Sequence, residues 1–196
     1  MSKTNEHEHG PLVAPLLRGY ADSYVKMSKF RSAFLSEDVT DKVAAELSAM
    51  MLYFDHQDHE EPIQLYLHSN GGAISGMLKI YDVMQMIHAP VHTILLGKCY
   101  SAGAVILSAG TKGERYALRS SNVMIHGIQF TFPIPGEDMV NSKNYLEFVD
   151  DTNDLLMKIL SKHTGQTLEK IKEDCAREYW MDAKAAKEYG IIDHII

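Results

Sequence analysis

The stretch Val91-His92-Thr93-Ile94-Leu95-Leu96-Gly97-Lys98-Cys99-Tyr100-Ser101-Ala102-Gly103-Ala104 decides how this chain folds. Its first six residues are apolar and β-branched enough to predict a buried strand, Gly97 a turn, and the small residues from Ser101 a short helix. A serine at that junction lies beside unpaired helical N–H groups and the positive end of the helix dipole, both of which stabilise an oxyanion. The context is that of a nucleophile elbow, although Cys99 breaks the Gly-x-Ser-x-Gly pattern. Taken alone, a serine here is more often an ordinary helix cap.

The same rhythm extends to either side. Ile63 to His68 reads as a strand that ends at Gly71-Gly72, followed by a helix from about Ile74 to Ile87 that stops before Pro90. Upstream, Phe30 to Leu35 predicts a strand, Asp38 to Met51 a helix and Asp55 to Glu61 a charged loop. Downstream, Arg115 to Leu118 and Asn122 to His126 predict strands, the second delivering His126 at its end. The major strands recur about every 30 residues, the length of one strand-crossover-strand unit. A long amphipathic helix is expected from about Asp138 to Lys162, with Tyr145, Phe148, Val149, Thr152, Leu155, Leu156, Ile159 and Leu160 on one stripe. At roughly 1.5 Å per residue it is longer than a body of this size requires, so it is expected to project and pack against another subunit. A last helix from Asp182 to Tyr189 ends at Gly190, before a short terminal strand.

Composition narrows the function. The 196 residues carry 19 Lys and Arg against 26 Asp and Glu, a net charge of −7, and no basic run that would neutralise a line of phosphates. Nucleic acid is therefore not an expected partner. The apolar run Ala102 to Ala109 is far shorter than the roughly 20 residues of a membrane span, so no membrane association is expected. Met1 to Gly10 has neither the apolar core of a signal peptide nor the arginines of a transit peptide, which makes the cytoplasm the expected location. Two cysteines outside any Cys-x-x-Cys pair suit a reducing compartment. His7, His9, His56 and His59 lie among acids, but no pattern supplies three or four ligands at structural spacing, so no metal is expected.

Three segments, each following a predicted strand, are more specific together than apart: Ser69-Asn70-Gly71-Gly72, Tyr100-Ser101-Ala102-Gly103-Ala104 and Val123-Met124-Ile125-His126. With Ile80 to Gln85, Ala109 to Leu118, His163 to Gln166 and Ala186 to Asp193, they resemble the proteolytic subunits of the Clp protease, the ClpP family, over Phe30 to Ile196. The resemblance implies an α/β, crotonase-like fold of repeated strand-strand-helix units with a projecting handle helix at about 138–162. It further implies a peptidase domain over 16–196 after a flexible axial segment at 1–15. The activity implied is that of a serine endopeptidase cleaving unfolded polypeptides inside stacked heptameric rings, fed by an AAA+ unfoldase. No cofactor is expected, since the chain has no Gly-x-x-x-x-Gly-Lys-Ser/Thr nucleotide loop.

Carried over by position, Ser101 is the nucleophile, His126 the general base, and the N–H groups of Gly72 and Ala102 the oxyanion donors. The family's triad aspartate falls on Glu178, after Arg177; Asp174 and Asp182 are nearby carboxylates that do not align. Other departures are Asn70 and Arg119 where the family has proline, and a rewritten segment, Gly127 to Gly136, after the histidine. Of the family's docking-pocket positions, Tyr66, Met86, Ile94 and Leu96 stay apolar while Gln64 does not. A catalytically silent ClpP-like assembly or regulatory subunit is the competing reading, supported by Glu178 and the rewritten segment. An acyl-CoA enzyme of the wider crotonase-like superfamily is a more distant one.

Overall fold

The computed structural model describes residues 22–129 and 139–196. The axial segment, the boundary expected near residue 15 and most of the rewritten segment after Gln129 lie outside them. Residues 22–28 are helical (α1) and lead into β1 (Ser32–Leu35) and α2 (Asp41–Gln57). There follow β2 (Ile63–Ser69), α3 (Ile74–Met86), β3 (Val91–Tyr100), α4 (Ala102–Ser108), β4 (Arg115–Ala117) and β5 (Asn122–Ile125). The chain closes with α5 (Met139–Thr164), α6 (Leu168–Asp174), β6 (Tyr179–Asp182), α7 (Ala183–Tyr189) and β7 (His194–Ile195).

Among the described residues, one sheet runs in the order β1-β2-β3-β4-β7, all parallel, as helical crossovers require. β3 is longer than the sequence suggests, because Gly97 does not end it. At φ +93 the glycine bends the strand instead, and β3 continues to Tyr100. Its first half pairs β4 through Thr93 to Leu95, and its second half pairs β5 through Lys98 to Tyr100. One strand edge thereby serves two neighbours. β5 in turn pairs antiparallel with β6, a strand the sequence did not announce, and α6 was likewise unannounced.

α2 begins at a Thr40 cap, whose hydroxyl accepts the N–H of Val43, and runs six residues past the expected end at Met51. The reason is long-range. Arg31 donates to the carbonyls of Phe54, Asp58 and Glu61 at 2.6, 2.9 and 2.8 Å, satisfying the helix end from the residue just ahead of β1, and Phe54 is buried beneath it. α4 is buried on every side, which places it at the centre of the molecule, against α3, α5 and the sheet. α7 has the expected ends: the Asp182 side chain accepts the N–H of Ala185, and Gly190 turns left-handed at φ +94.

Arg115, fully buried, ties the far end together. Its guanidinium grips Asp193 through Nε and Nη2 at 2.8 and 2.7 Å, while Nη1 donates to the carbonyls of Ser108 and His163. Removing one partner of such a buried pair costs about 3–5 kcal/mol. The expected stripe on α5 divides. Val149, Leu156, Ile159 and Leu160 are buried in the protomer, whereas Tyr145, Phe148 and Leu155 stand 43%, 65% and 45% exposed.

Candidate active site

β2 and β3 run parallel with neighbouring C-terminal ends, so the Gly71-Gly72 turn and the Ser101 turn meet at the same edge of the sheet. Ser101 holds φ 53° and ψ −123°, one of two non-glycine residues with positive φ among those described. Strain of this kind at a strand-to-helix junction projects a side chain clear of its neighbours. The approach of the Gly71 turn demands glycine. A Cβ on Gly71 would lie 2.7 Å from both the Ser101 Cβ and the Tyr100 carbonyl oxygen, at a φ of +99°.

Gly72 is held from its other side. Val39 donates to the Gly71 carbonyl at 2.6 Å and accepts from Ala73 at 2.7 Å, leaving Gly72's own N–H outside the bridge. Asn70, where a proline was expected, does not leave the turn loose: its amide donates to Asp38 at 3.0 Å, pinning the turn to the segment ahead of α2. The Ala102 N–H, at the first position of α4, precedes any intrahelical acceptor. The two oxyanion candidates thus belong to adjoining turns.

His126 reaches the site through register. Tyr100 pairs Met124, the Ser101 N–H donates to the Met124 carbonyl at 2.8 Å, and His126 follows two residues later. Its Nδ1 lies 2.5 Å from the Gly127 carbonyl oxygen. A carbonyl only accepts, so this contact calls for a proton on Nδ1; in the neutral ring the lone pair is then on Nε2, the arrangement a general base needs. Gly72, Ser101, Ala102, His126 and Glu178 all line one cavity of about 340 Å³, with an apolar wall that includes Met77 and Leu156.

Glu178 shares the cavity without hydrogen-bonding the histidine. Its Oε2 accepts from the Trp180 indole at 3.2 Å, and no His126–Glu178 hydrogen bond forms among the described residues. The alternative carboxylates are committed elsewhere. Asp174 accepts from the Tyr189 hydroxyl at 2.6 Å and pairs Lys170, and Asp182 caps α7. Cys99 and Cys175 offer no rival nucleophile, because burial pushes both thiols up to about 12.

One contributor escaped the sequence reading. Asn153 of α5 accepts the Ile128 N–H on its Oδ1 at 3.0 Å, while the Gly127 N–H donates to the Cys175 carbonyl at 2.8 Å. Together they fix the backbone on which His126 rests. The available signal was an amide between Val149 and Leu156, at i+4 and i−3 on the buried face of α5, where an apolar residue would be the default.

A strained serine, two glycine- and alanine-bearing turns and a histidine bordering one cavity of an α/β body are groups from which serine-hydrolase chemistry can be assembled. The model of the Clp protease family matches residues 18–196. The chain is 39% identical over 179 residues to the ATP-dependent Clp protease proteolytic subunit 2 of Prochlorococcus marinus (strain NATL2A), a match spanning 90% of this chain and 88% of that one. The chain belongs to the Clp protease family, and its mixed α/β architecture is the crotonase-like fold of that family. No described helix is long and apolar enough to cross a membrane.

Proposed function

We propose that this chain is an active endopeptidase subunit in which Ser101 attacks the scissile carbonyl and His126 Nε2 takes the hydroxyl proton. The N–H groups of Gly72 and Ala102 bind the oxyanion as the tetrahedral intermediate forms. His126 then returns the proton to the departing amine, leaving an acyl group on Ser101, and water admitted to the same base releases it. Glu178 stabilises the imidazolium. Its Oε1 remains available when Oε2 is held by Trp180, and catalytic hydrogen bonds commonly tighten only when substrate binds.

The observation that carries this reading is Ser101 itself: a strained backbone, pressed against Gly71, in the cavity that His126 lines. The substrates are unfolded polypeptides. Hydrolysis itself consumes no ATP, and delivery of folded proteins falls to a partner AAA+ unfoldase in the cytoplasm. The exposed Tyr145, Phe148 and Leu155 of α5 support assembly, in which two heptameric rings stack through their handle helices. Met86, at 61% exposed, suits the unfoldase face, whereas Ile94 is buried within the protomer.

The second reading, a silent assembly subunit, has one specific observation in its favour: His126 and Glu178 are each engaged with another group. A fluorophosphonate separates the two. It should label Ser101 of the assembled protein, and Ser101→Ala should abolish hydrolysis of short unstructured peptides while leaving assembly intact. Absence of labelling, or parental turnover by the alanine variant, would refute the active reading.

A further inference from the structure

At the opposite end of β2 and β3, where the strands begin, three potential metal ligands converge from separate segments. Asp55 occupies the last turn of α2, His59 follows one turn later beyond its cap, and His88 lies in the turn between α3 and β3. One donor atom from each lies within 4.8 Å of the other two. Asp55 Oδ1 is 3.2 Å from His59 Nδ1, Oδ2 is 4.0 Å from His88 Nδ1, and the ring centroids are 5.2 Å apart.

The carboxylate is built in rather than incidental. Oδ1 accepts the backbone N–H groups of His88 and Ala89 at 2.9 and 2.8 Å, which orients the group and holds the turn that carries His88. The Asp55 side chain is only 13% exposed, while the two imidazoles are 61% and 79% exposed and able to rotate. Burial would raise the Asp55 pKa, but the Ala89 bond, His59 and the His88 bond outweigh it and hold the carboxyl below its ordinary range.

We propose that Asp55, His59 and His88 form a binding site for a divalent first-row transition ion of the Zn²⁺ type. Two imidazoles and one carboxylate are the ligand set such borderline ions favour, whereas Mg²⁺ and Ca²⁺ select oxygen donors. With metal–ligand bonds of about 2.0–2.2 Å, tetrahedral donors stand about 3.3 Å apart. The observed spacing needs only side-chain rotation of two exposed histidines to close, water completing the shell. The ion would staple the end of α2 to the α3–β3 turn. Spacing along the chain does not show this site, since His88 enters 29 residues after His59. The proposal revises the expectation, drawn from local pattern alone, that this region binds no metal. It is independent of the peptidase reading.

The competing account is a capping carboxylate with two solvated histidines beside it. Full-length, tag-free protein stripped with EDTA and then titrated with Zn²⁺ distinguishes them. Carbethoxylation by diethylpyrocarbonate, mapped residue by residue by mass spectrometry, should slow severalfold at both His59 and His88 and stay unchanged at His68, whose Nδ1 is bonded to the Leu96 carbonyl. Equal reactivity of His59 and His88 with and without Zn²⁺ would overturn the site. In parallel, Zn²⁺ should raise the Tm of the parent but not of the His59→Ala/His88→Ala variant, whose Tm in EDTA should match the parent's. An equal gain in both proteins would show that the ion binds elsewhere. Neither readout uses peptide hydrolysis, so an inactive subunit would not obscure the result.

Discussion

The two halves of the proposed catalytic cavity are built differently. On the nucleophile side, Ser101, Gly71, Gly72 and Ala102 are placed by backbone: a bent strand, a bridge to Val39, and turns packed so closely that a single Cβ does not fit. On the histidine side, the placement depends on side chains and single hydrogen bonds: His126 on the Gly127 carbonyl, Ile128 on Asn153, Glu178 on Trp180. A backbone-built half has one arrangement. A side-chain-built half can exchange partners when substrate or a neighbouring subunit arrives, which is where activity and silence would diverge.

After loss of the serine itself, the largest effect should come from the acid. If Glu178 takes over Nδ1 of His126 from the Gly127 carbonyl in the working enzyme, Glu178→Gln should lower kcat for peptide hydrolysis on the order of 10⁴-fold, the loss seen when an amide in place of the triad acid imposes the wrong tautomer. Unchanged kcat would transfer the orienting role to the Gly127 carbonyl and reduce the site to a Ser-His dyad. Glu178→Asp, with its shorter reach, should be slower than the parent.

Next, Gly72→Ala should break the backbone half, since its Cβ would lie 2.3 Å from the Val39 carbonyl oxygen at φ +140°. We expect kcat to fall about 10²–10³-fold as one oxyanion donor is displaced, with about 1–3 kcal/mol lost in denaturant unfolding. A fully active variant would remove Gly72 from the oxyanion hole.

Asn153→Ala should have a milder effect, about tenfold in kcat/KM, the worth of one part-buried hydrogen bond of about 1–1.5 kcal/mol. Asn153→Asp keeps the acceptor for the Ile128 N–H and should restore most of that loss. Failure of this rescue would show that Asn153 acts through packing rather than by holding the loop.

The smallest effect comes from a residue outside the cavity lining, one turn beyond Leu160 on α5. Burial, reinforced by Lys162, Arg115 and Lys112, lowers the His163 pKa from 6.5 to about 4. The folded state then resists a proton that the unfolded chain accepts, so stability is full above pH 6.5 and declines as the pH falls towards 4. His163→Gln should flatten the fall in Tm between pH 7 and pH 5. An identical slope in parent and variant would assign that acid sensitivity to other groups.

Much of this was legible in residue order. Alternating apolar runs and glycine turns fixed the strand-helix alternation, because burial and turn chemistry act locally, and Ser101 and His126 could be read at the ends of their strands. The caps of α7 were also legible, since Asp182 and Gly190 satisfy the helix within a few residues. Where local reading fell short, a distant partner was responsible. α2 outruns its expected end because Arg31, more than 20 residues earlier, supplies donors to it, and β3 passes through Gly97 because β5 waits to pair with it. β6 exists because β5 offers a free edge, and a polar Asn153 is tolerated on a buried face because the Ile128 N–H needs an acceptor. His88 joins Asp55 and His59 only when the α3–β3 turn folds back on α2. Sequence by itself determined the α/β class, the order of its elements and the chemistry available at their ends. Tertiary structure alone decided which ends meet, because hydrogen bonds and close packing between residues tens of positions apart leave no periodic trace along the chain.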